Sequence, residues 1–463
     1  MGAAIARDEI GDISARLDRL PASRAIWTRV VLLSLGGCFE YYDLFLTGYV
    51  APGLVRGGIL TPTTPGLFGT SGVASFVAAL FAGLFVGTAL FGFVADRFGR
   101  KSIFTFSLIW YAVASVVMAF QSDAFGLNLW RFIAGIGIGV ELVTIDAYIA
   151  ELVPAALRGR AFAYNSAIQF TAVPVVAFLA RLLVPNAPLG LDGWRWVVLI
   201  GSSGALFVWW IRLGVPESPR WLAQHGRLEE ADLALRALEA PTGARPAAPP
   251  AKIAAAEANP PQGRFGEIWQ SPYLTRTVML IIFNVFQTVG FYGFSNWVPT
   301  LLIKQGISVT QSLQYTFIIA LAAPFGPLLA SALGDKVERK WLIVAAAFAI
   351  AAFGLAFGQT TAAIPLIGLG VMLTLSNNIL SFAFHSYQPE LYPTRIRALA
   401  VGFVYSWSRL SVVFSAFAIA YCLQWFGVAG VFTLIAGSML VVMLAIGLLG
   451  PKTANLSLET ISK

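Results

Sequence analysis

Four of the ionisable residues inside the long apolar stretches of the sequence come first, because a charge is most expensive there. Glu40 and Asp43 lie in the first such stretch, Arg131 in the fourth and Arg409 in the eleventh. A charged side chain in an apolar span is rare and marks a substrate, ion or proton pathway by default. These four residues are therefore the first candidates for chemistry.

Asp43 and Arg131 are predicted to lie at compatible depths. Asp43 is about two-thirds of the way out along its helix, and Arg131 is about one turn in from the outer end of its own. At ~1.5 Å of rise per residue, both lie ~6–11 Å below the outer surface and can pair. Protonation of Asp43 would break this pair and change the relative stability of two conformations. The alternative is a static ion pair that only fixes helix packing.

Glu40 lies three residues before Asp43, on roughly the same helix face. It is a candidate second proton site or substrate contact, or else a cavity-facing acid with neither role. Glu141, Asp146 and His385 lie in the inner halves of the fourth and tenth stretches. A titrating histidine could assist proton release, although local hydrogen bonding is the favoured interpretation for these three residues.

Arg409 lies about eleven residues into its helix, near the expected midplane. A buried guanidinium is costly unless it meets an anion, and its planar donor fork suits a carboxylate. The alternative is internal pairing with Glu40 or another cavity acid. Other candidate substrate contacts at similar depth are Gln169, Gln287, Phe291, Asn378 and Tyr405. Together they suit a small planar acid, although each alone is more often a helix–helix contact.

The composition determines which elements position these residues. Of the 463 residues, 57% are hydrophobic and 12% are charged, whereas soluble domains are roughly 45–50% apolar and 25% charged. This excludes a disordered chain, a disulfide scaffold and an ordinary cytosolic enzyme. At ~20 residues per span, we predict an all-α membrane protein. The twelve apolar stretches are 26–50, 71–95, 102–121, 127–150, 161–184, 194–214, 277–302, 313–333, 341–358, 362–387, 398–423 and 427–449.

The charge distribution predicts the topology. The net charge is +8, and a basic balance can indicate nucleic acid. Here the excess lies in the tails and inner loops, and the predicted outer loops hold only Arg56, Arg181, Arg195 and Lys304. Positive charge marks the cytoplasmic side, so we expect both termini there and no nucleic-acid partner. The predicted segments are a tail 1–25, a six-helix bundle 26–214, a linker 215–275, a second bundle 276–449 and a tail 450–463.

The two halves repeat at an offset of 239 residues. Asp96 matches Asp335, and Glu151 and Arg158 match Glu390 and Arg397. Agreement between two separate loops is unexpected by chance. Parallel repeats of six spans are typical of transporters that bind substrate near the midplane, between the repeats.

The loop motifs resemble those of the major facilitator superfamily. They are GFVADRFGRKS from Gly92, RFIAGIGIG from Arg131, YIAELVPAALRGR from Tyr148 and PESPRWL from Pro216. The last two resemble the branch of sugar porters, organic ion transporters and synaptic vesicle glycoprotein 2 relatives. The resemblance covers roughly residues 27–449. It implies twelve helices in two pseudo-two-fold-related bundles around a cavity. The stretch FYGFSNWVPTLL, from Phe291, is closer to niacin-type and aromatic-acid transporters.

The resemblance also implies roles for particular residues. A first-helix acid such as Asp43 and the motif arginine, Arg131, form a protonation switch in the family. Organic anion transporters resemble this chain in carrying an eleventh-helix arginine, here Arg409. Loop charges latch the cytoplasmic ends in the outward-open state, or else only determine topology. The candidate gate comprises Asp96, Arg97, Arg100, Glu151, Arg158, Asp335, Arg339, Glu390 and Arg397.

The predicted function is import of a small organic anion by proton-coupled alternating access. The expected substrate is an aromatic or heteroaromatic monocarboxylate such as nicotinate. A proton-coupled sugar or polyol porter, uniport or exchange, and a non-transporting receptor or sensor remain alternatives. We expect a monomer in the bilayer of a bacterial inner membrane, whose partners are the substrate and protons. No cofactor, metal site or catalytic constellation is expected.

Overall fold

The computed structural model describes residues 12–61, 63–66, 71–91, 97–204, 206–207, 214–239, 264–334 and 336–453. Two of the predicted gate acids, Asp96 and Asp335, lie outside these ranges, as do parts of both tails, the linker and the sixth apolar stretch. Among the described residues, 11 helices are long and apolar enough to cross a membrane. Large apolar side chains such as Phe106 and Phe348 are exposed on their outer faces, as a lipid-facing surface requires.

The helices of the first half are numbered α1 to α9 in chain order. α8 and α9 belong to the linker, and the others to the predicted first bundle. They are α1 (Arg24–Arg56), α2 (Gly72–Phe91), α3 (Arg100–Ala119), α4 (Ala124–Leu152), α5 (Arg158–Phe170), α6 (Ala172–Leu183), α7 (Gly193–Ser202), α8 (Pro219–Gln224) and α9 (Leu228–Glu239).

The helices of the second half are numbered α10 to α17. The seventh and eighth spans are each divided into two helices, as the fifth span is in the first half. They are α10 (Tyr273–Ser295), α11 (Val298–Lys304), α12 (Val309–Ala320), α13 (Phe325–Gly334), α14 (Arg339–Gln359), α15 (Ala363–Tyr387), α16 (Thr394–Trp425) and α17 (Gly427–Leu444). A π-helical turn, Ala445–Leu449, extends the last span.

Short polar side chains start several of these helices. Ser23 accepts a hydrogen bond from the backbone of Ile26 at the start of α1, and Asp123 does the same for Gly126 in α4. Such caps satisfy backbone N–H groups that have no partner within the helix. Pro299, in the first turn of α11, lies just after the break in the seventh span, at a position where its missing N–H costs little.

Glycines bring α2 and α4 close together. A Cβ atom at Gly83 would lie 2.2 Å from the carbonyl oxygen of Phe132, and one at Gly139 would lie 2.5 Å from that of Leu84. Only glycine permits this approach of two backbones. The contact fixes the position of α4, and therefore of Arg131, against the rest of the first bundle.

The two bundles meet in the half of the membrane that the charge distribution assigns to the outside. Gly48 of α1 lies against Asn296, where an added Cβ would come within 2.6 Å of the carbonyl oxygen. The rings of Phe178 and Phe317, from α6 and α12, are 5.5 Å apart. In the opposite half, Asp146 and His385 are exposed even though both lie within long membrane helices. The bundles are thus in contact in the outer half, and the side chains of Asp146 and His385 are accessible in the inner half.

Candidate substrate and proton site

Asp43 and Arg131 form a buried ion pair within the first bundle. Nη1 of Arg131 lies 2.9 Å from Oδ2 of Asp43, and the side chains are 0% and 6% exposed. Nη2 of Arg131 also donates to the backbone oxygen of Asp43 and to the hydroxyl of Thr47. Ser115 donates to the second carboxylate oxygen at 3.4 Å.

An aromatic ring also borders this pair. The guanidinium carbon of Arg131 lies 5.1 Å from the centre of the Phe76 ring. A buried ion pair is tolerated when the geometry is good and the remaining donors are satisfied, and removal of one partner leaves a costly buried charge. A proton-sensitive switch at this pair stays a prediction.

Arg409 has a different environment near the middle of α16. It is buried, with 4% of its surface exposed. Its Nη1 donates to the hydroxyl of Tyr292 at 3.0 Å, and its Nη2 donates to the hydroxyl of Tyr405 at 2.9 Å. No carboxylate of the described residues lies within ion-pair distance of it. The internal ion pair with Glu40, one alternative for this residue, is not formed.

Tyr292 is a site residue that the sequence interpretation missed. It follows Phe291 directly, and its ring packs against Phe81 of the first bundle with the centroids 4.6 Å apart. A tyrosine in a span carries an apolar body and one polar end, so composition alone does not mark it. The available signal was its position in α10, directly after the candidate Phe291 and one turn before Asn296.

Glu40 and Glu141 are two fully buried acids with no ion pair. Both are 0% exposed, and none of their four carboxylate oxygens has a hydrogen-bond partner among the described residues. The two acids are close enough to interact electrostatically with each other. Glu40 also lies within electrostatic range of Asp146 in α4 and Arg409 in α16. The acids of the first bundle therefore face the arginine of the second.

The other predicted substrate contacts lie around the same central region. Gln169 packs against Gly37 of α1, where a Cβ atom would lie 2.2 Å from its Nε2. Phe291 is buried with its ring 6.3 Å from that of Phe45, and Gln287 is partly exposed in α10. Asn378 donates to the backbone oxygen of Ala323 at 2.8 Å. The structure thus brings amides and aromatic rings from both bundles to one level.

A small cavity lies between the bundles on the outer side of Arg409. Its wall includes Phe45 and Phe170 from the first bundle and Phe294, Thr316 and Asn378 from the second. Its free volume is about 30 Å³ for the centres of water-sized spheres, which is room for roughly two waters. A ring-sized solute therefore requires the bundles to separate at this level.

The inner-face charges form the same pair in each bundle. Arg100 donates to Glu151 at 2.8 Å, and Arg339 pairs with Glu390. Each member of the second pair lies 239 residues after its counterpart. The Nε atoms of Arg158 and Arg397 also donate to backbone oxygens at equivalent positions, Val153 and Tyr392. These contacts lie within single bundles, so a latch between the bundles stays a prediction.

Two arginines of the candidate gate, Arg97 and Arg158, lie at the surface. Arg97 is exposed and stacks on the ring of Phe98. Arg158 lies 3.7 Å from Asp18 of the N-terminal segment. The N-terminal segment therefore contacts the same loop that the gate uses.

Comparison with known proteins decides the family. Residues 30–463 match the family described as "Sugar (and other) transporter". The chain belongs to this family. It is therefore a multi-pass membrane transporter of the major facilitator superfamily. A metabolite transport protein of Bacillus subtilis, YyaJ, described as putative, is 31% identical over 95% of both chains. The niacin transporter NiaP of Acinetobacter baylyi is 29% identical over 97% of this chain and 99% of its own.

The solved structures that it resembles show the fold. A partially occluded, inward-open form of the xylose transporter XylE from Escherichia coli superposes with a TM-score of 0.73 at 21% identity. The match covers 94% of this chain and 100% of that one. The fold is therefore the predicted all-α arrangement of twelve transmembrane helices in two six-helix bundles.

Proposed function

We propose that this transporter imports a small organic anion, an aromatic or heteroaromatic monocarboxylate such as nicotinate, together with protons. The observation that carries the proposal is the environment of Arg409. A fixed cation lies between the bundles, and its hydrogen-bond partners are two neutral hydroxyl groups. A substrate carboxylate supplies the charge that this site lacks.

The aromatic surroundings support a ring on the substrate. Tyr292 and Tyr405 flank the guanidinium, and Phe291 and Phe81 pack against Tyr292. Aromatic walls with a few polar groups suit a flat, largely apolar ligand. The similarity to the niacin transporter of Acinetobacter baylyi supports the same substrate class.

Proton coupling is proposed for Asp43 and Arg131. The outward-facing and inward-facing states differ in how the bundles meet, and the ion pair holds α1 to α4 inside one bundle. A protonated Asp43 releases Arg131 to its remaining partners and changes the packing of α1 against the second bundle. A change in proton occupancy thereby biases the equilibrium between the two states.

The setting of this activity follows from the charge distribution. We propose a monomer in the inner membrane of a bacterium, with both termini in the cytoplasm. Residues 26–214 and 276–449 form the two moving bundles, and 215–275 link them on the cytoplasmic side. The linker helix α9 is bound to the N-terminal segment by Arg16, which donates to Asp232 at 2.8 Å and to Glu239 at 2.9 Å.

Uptake of radiolabelled nicotinate into proteoliposomes tests the proposal. With an inward-directed proton gradient, we expect nicotinate to accumulate above its external concentration and an uncoupler to abolish the accumulation. Arg409→Gln is expected to remove uptake. The control Arg181→Gln changes an arginine at the outer end of α6. Absence of saturable uptake of any aromatic carboxylate would overturn the proposal.

A proton-coupled sugar or polyol porter is the second candidate. The buried amides of Gln169 and Asn378 favour it. The similarity to the arabinose-proton symporter of Bacillus subtilis, which is 25% identical over 94% of both chains, favours it as well. Sugars bind through many hydroxyl–amide hydrogen bonds and need no cation. Competition of arabinose or xylose with nicotinate in the same vesicles distinguishes the two candidates.

A further inference from the structure

The pair of acids Glu40 and Glu141 is not explained by an Asp43–Arg131 switch. Both are completely buried, and none of their carboxylate oxygens accepts a hydrogen bond from a described residue. Asp43 by contrast has Arg131 and Ser115 as partners. Burial of an unpaired carboxylate is strongly unfavourable, and neutralisation by a proton removes most of the cost.

We propose that Glu40 and Glu141 form a second proton-binding site, which holds one shared proton when an anion occupies Arg409 and releases it to the inner cavity when the anion leaves. This inference rests on the proposed function for the identity of the anion. It adds a site that acts in parallel with Asp43 and is linked directly to substrate binding.

The link is the position of Glu40 between the two bundles. Glu40 lies within electrostatic range of Arg409 as well as of Glu141. A carboxylate on Glu40 attracts Arg409 and repels a substrate anion, whereas a protonated Glu40 does neither. Proton and anion therefore favour each other's binding, and this coupling is reciprocal by thermodynamic necessity.

The groups around the acid pair are compatible with this role. These groups come from five helices, and one of them, Arg409, is a cation. The titratable groups within electrostatic range of the pair or of its immediate neighbours are Cys38, Tyr41, Asp43, Tyr111, Asp146, Tyr292, Tyr405 and Arg409. Asp146 is exposed in the inner half of α4, so the proton has a short route from the pair to water at the inner end of the cavity.

The stoichiometry follows from two independent proton sites. Asp43 and the acid pair each exchange one proton, so import of a monocarboxylate carries about two protons. The net charge moved is then positive, and the membrane potential contributes to the driving force. A transporter that used Asp43 alone would move one proton with each monoanion and no net charge.

Infrared titration of the full-length protein tests the proton site without any substrate. A protonated carboxyl has a carbonyl stretch separate from the bands of carboxylates. We expect such a band to appear in the substrate-free wild type as the pH is lowered below neutral, and to be missing in both Glu40→Gln and Glu141→Gln. Glu229→Gln changes an exposed acid of α9 and should retain the band. A wild-type spectrum without a band that these two substitutions remove would overturn the inference.

Proton uptake on nicotinate binding tests the link to substrate. In weakly buffered solution, Asp43→Asn should still take up about one proton for each nicotinate bound, and Asp43→Asn/Glu40→Gln should take up none. Binding to Asp43→Asn without proton uptake would contradict the inference. Failure of nicotinate to bind the wild type would instead contradict the proposed substrate, and the infrared result would still decide the proton site.

Discussion

The two bundles have the same chemistry at the inner face and different chemistry in the middle of the membrane. At the inner face, Arg100–Glu151 and Arg339–Glu390 are equivalent pairs. The tyrosines 239 residues apart, Tyr148 and Tyr387, both donate to a proline backbone oxygen near the end of their own bundle. The repeat therefore preserves the contacts that close each bundle on its inner side.

Deeper in the membrane the repeat no longer matches. Arg131 and Glu141 of α4 correspond to Gly370 and Leu380 of α15, because the offset of 239 continues along these unbroken helices. The first bundle holds the acids and one ion-paired arginine, and the second holds Arg409 among hydroxyl groups. Under the proposed mechanism, the repeated inner-face contacts would serve both bundles alike, while proton binding and anion binding would fall to separate bundles.

The largest expected effect is that of Asp43→Asn on the first bundle. It removes the titrating group and leaves Arg131 without its ion-pair partner. Accumulation of nicotinate driven by a pH gradient should fall to the level that one proton per nicotinate can sustain, whereas counterflow exchange should persist because it needs no net proton movement. Uptake and counterflow in the same vesicles measure the difference. Undiminished accumulation would show that Asp43 takes no part in proton coupling. It would then contradict the division of roles between the two bundles.

Arg409→Lys tests the second bundle with its charge retained. An ammonium group lacks the planar donor fork, so it cannot meet a carboxylate and both tyrosines in the same geometry. Nicotinate binding should weaken roughly tenfold, about 1.4 kcal/mol. Arg181→Lys, at the outer end of α6, is the matched control. Equal affinities for wild type and Arg409→Lys would show that Arg409 does not bind the anion.

Tyr292→Phe tests whether the tyrosine hydroxyl accepts a hydrogen bond from Arg409 at the position that a substrate carboxylate would take. The substrate-free protein should lose about 1 kcal/mol of stability, the net value of one hydrogen bond. Saturating nicotinate should stabilise the variant more than it stabilises the wild type, because the carboxylate replaces the lost partner of Arg409. Thermal unfolding with and without nicotinate measures both effects. Tyr164→Phe, on the exposed face of α5, should change neither quantity.

The smallest effect is expected at the inner face, where the two bundles should respond alike. Glu151→Lys and Glu390→Lys each reverse one member of a repeated, partly exposed ion pair, whose value is about 0.2–1 kcal/mol. Each should shift the population towards the inward-open state to a similar degree. Accessibility labelling of single cysteines in the inner cavity measures the shift. A response from only one of the two variants would break the functional equivalence of the repeats.

The sequence predicted the fold well because its signals are local. Span length, apolar composition and the inner excess of basic residues depend on the bilayer and not on which helix neighbours which. The same arguments placed Asp43 and Arg131 at one depth, and the ion pair is present. The breaks at Thr171, at Leu321–Pro324 and at Asn296–Trp297 were not predicted, because a broken span retains its apolar composition.

The tertiary structure decided what surrounds each polar group in the membrane. Depth along a helix follows from residue number, but the direction in which a side chain points depends on the rotation of each helix against its neighbours. Within the part of the chain that the structure describes, that rotation gave Arg409 two tyrosine hydroxyls and no carboxylate, and it left the carboxylates of Glu40 and Glu141 without hydrogen-bond partners. The sequence by itself therefore determined that charges lie in the membrane and how deep, and only the packing of the two bundles decided which charges are balanced.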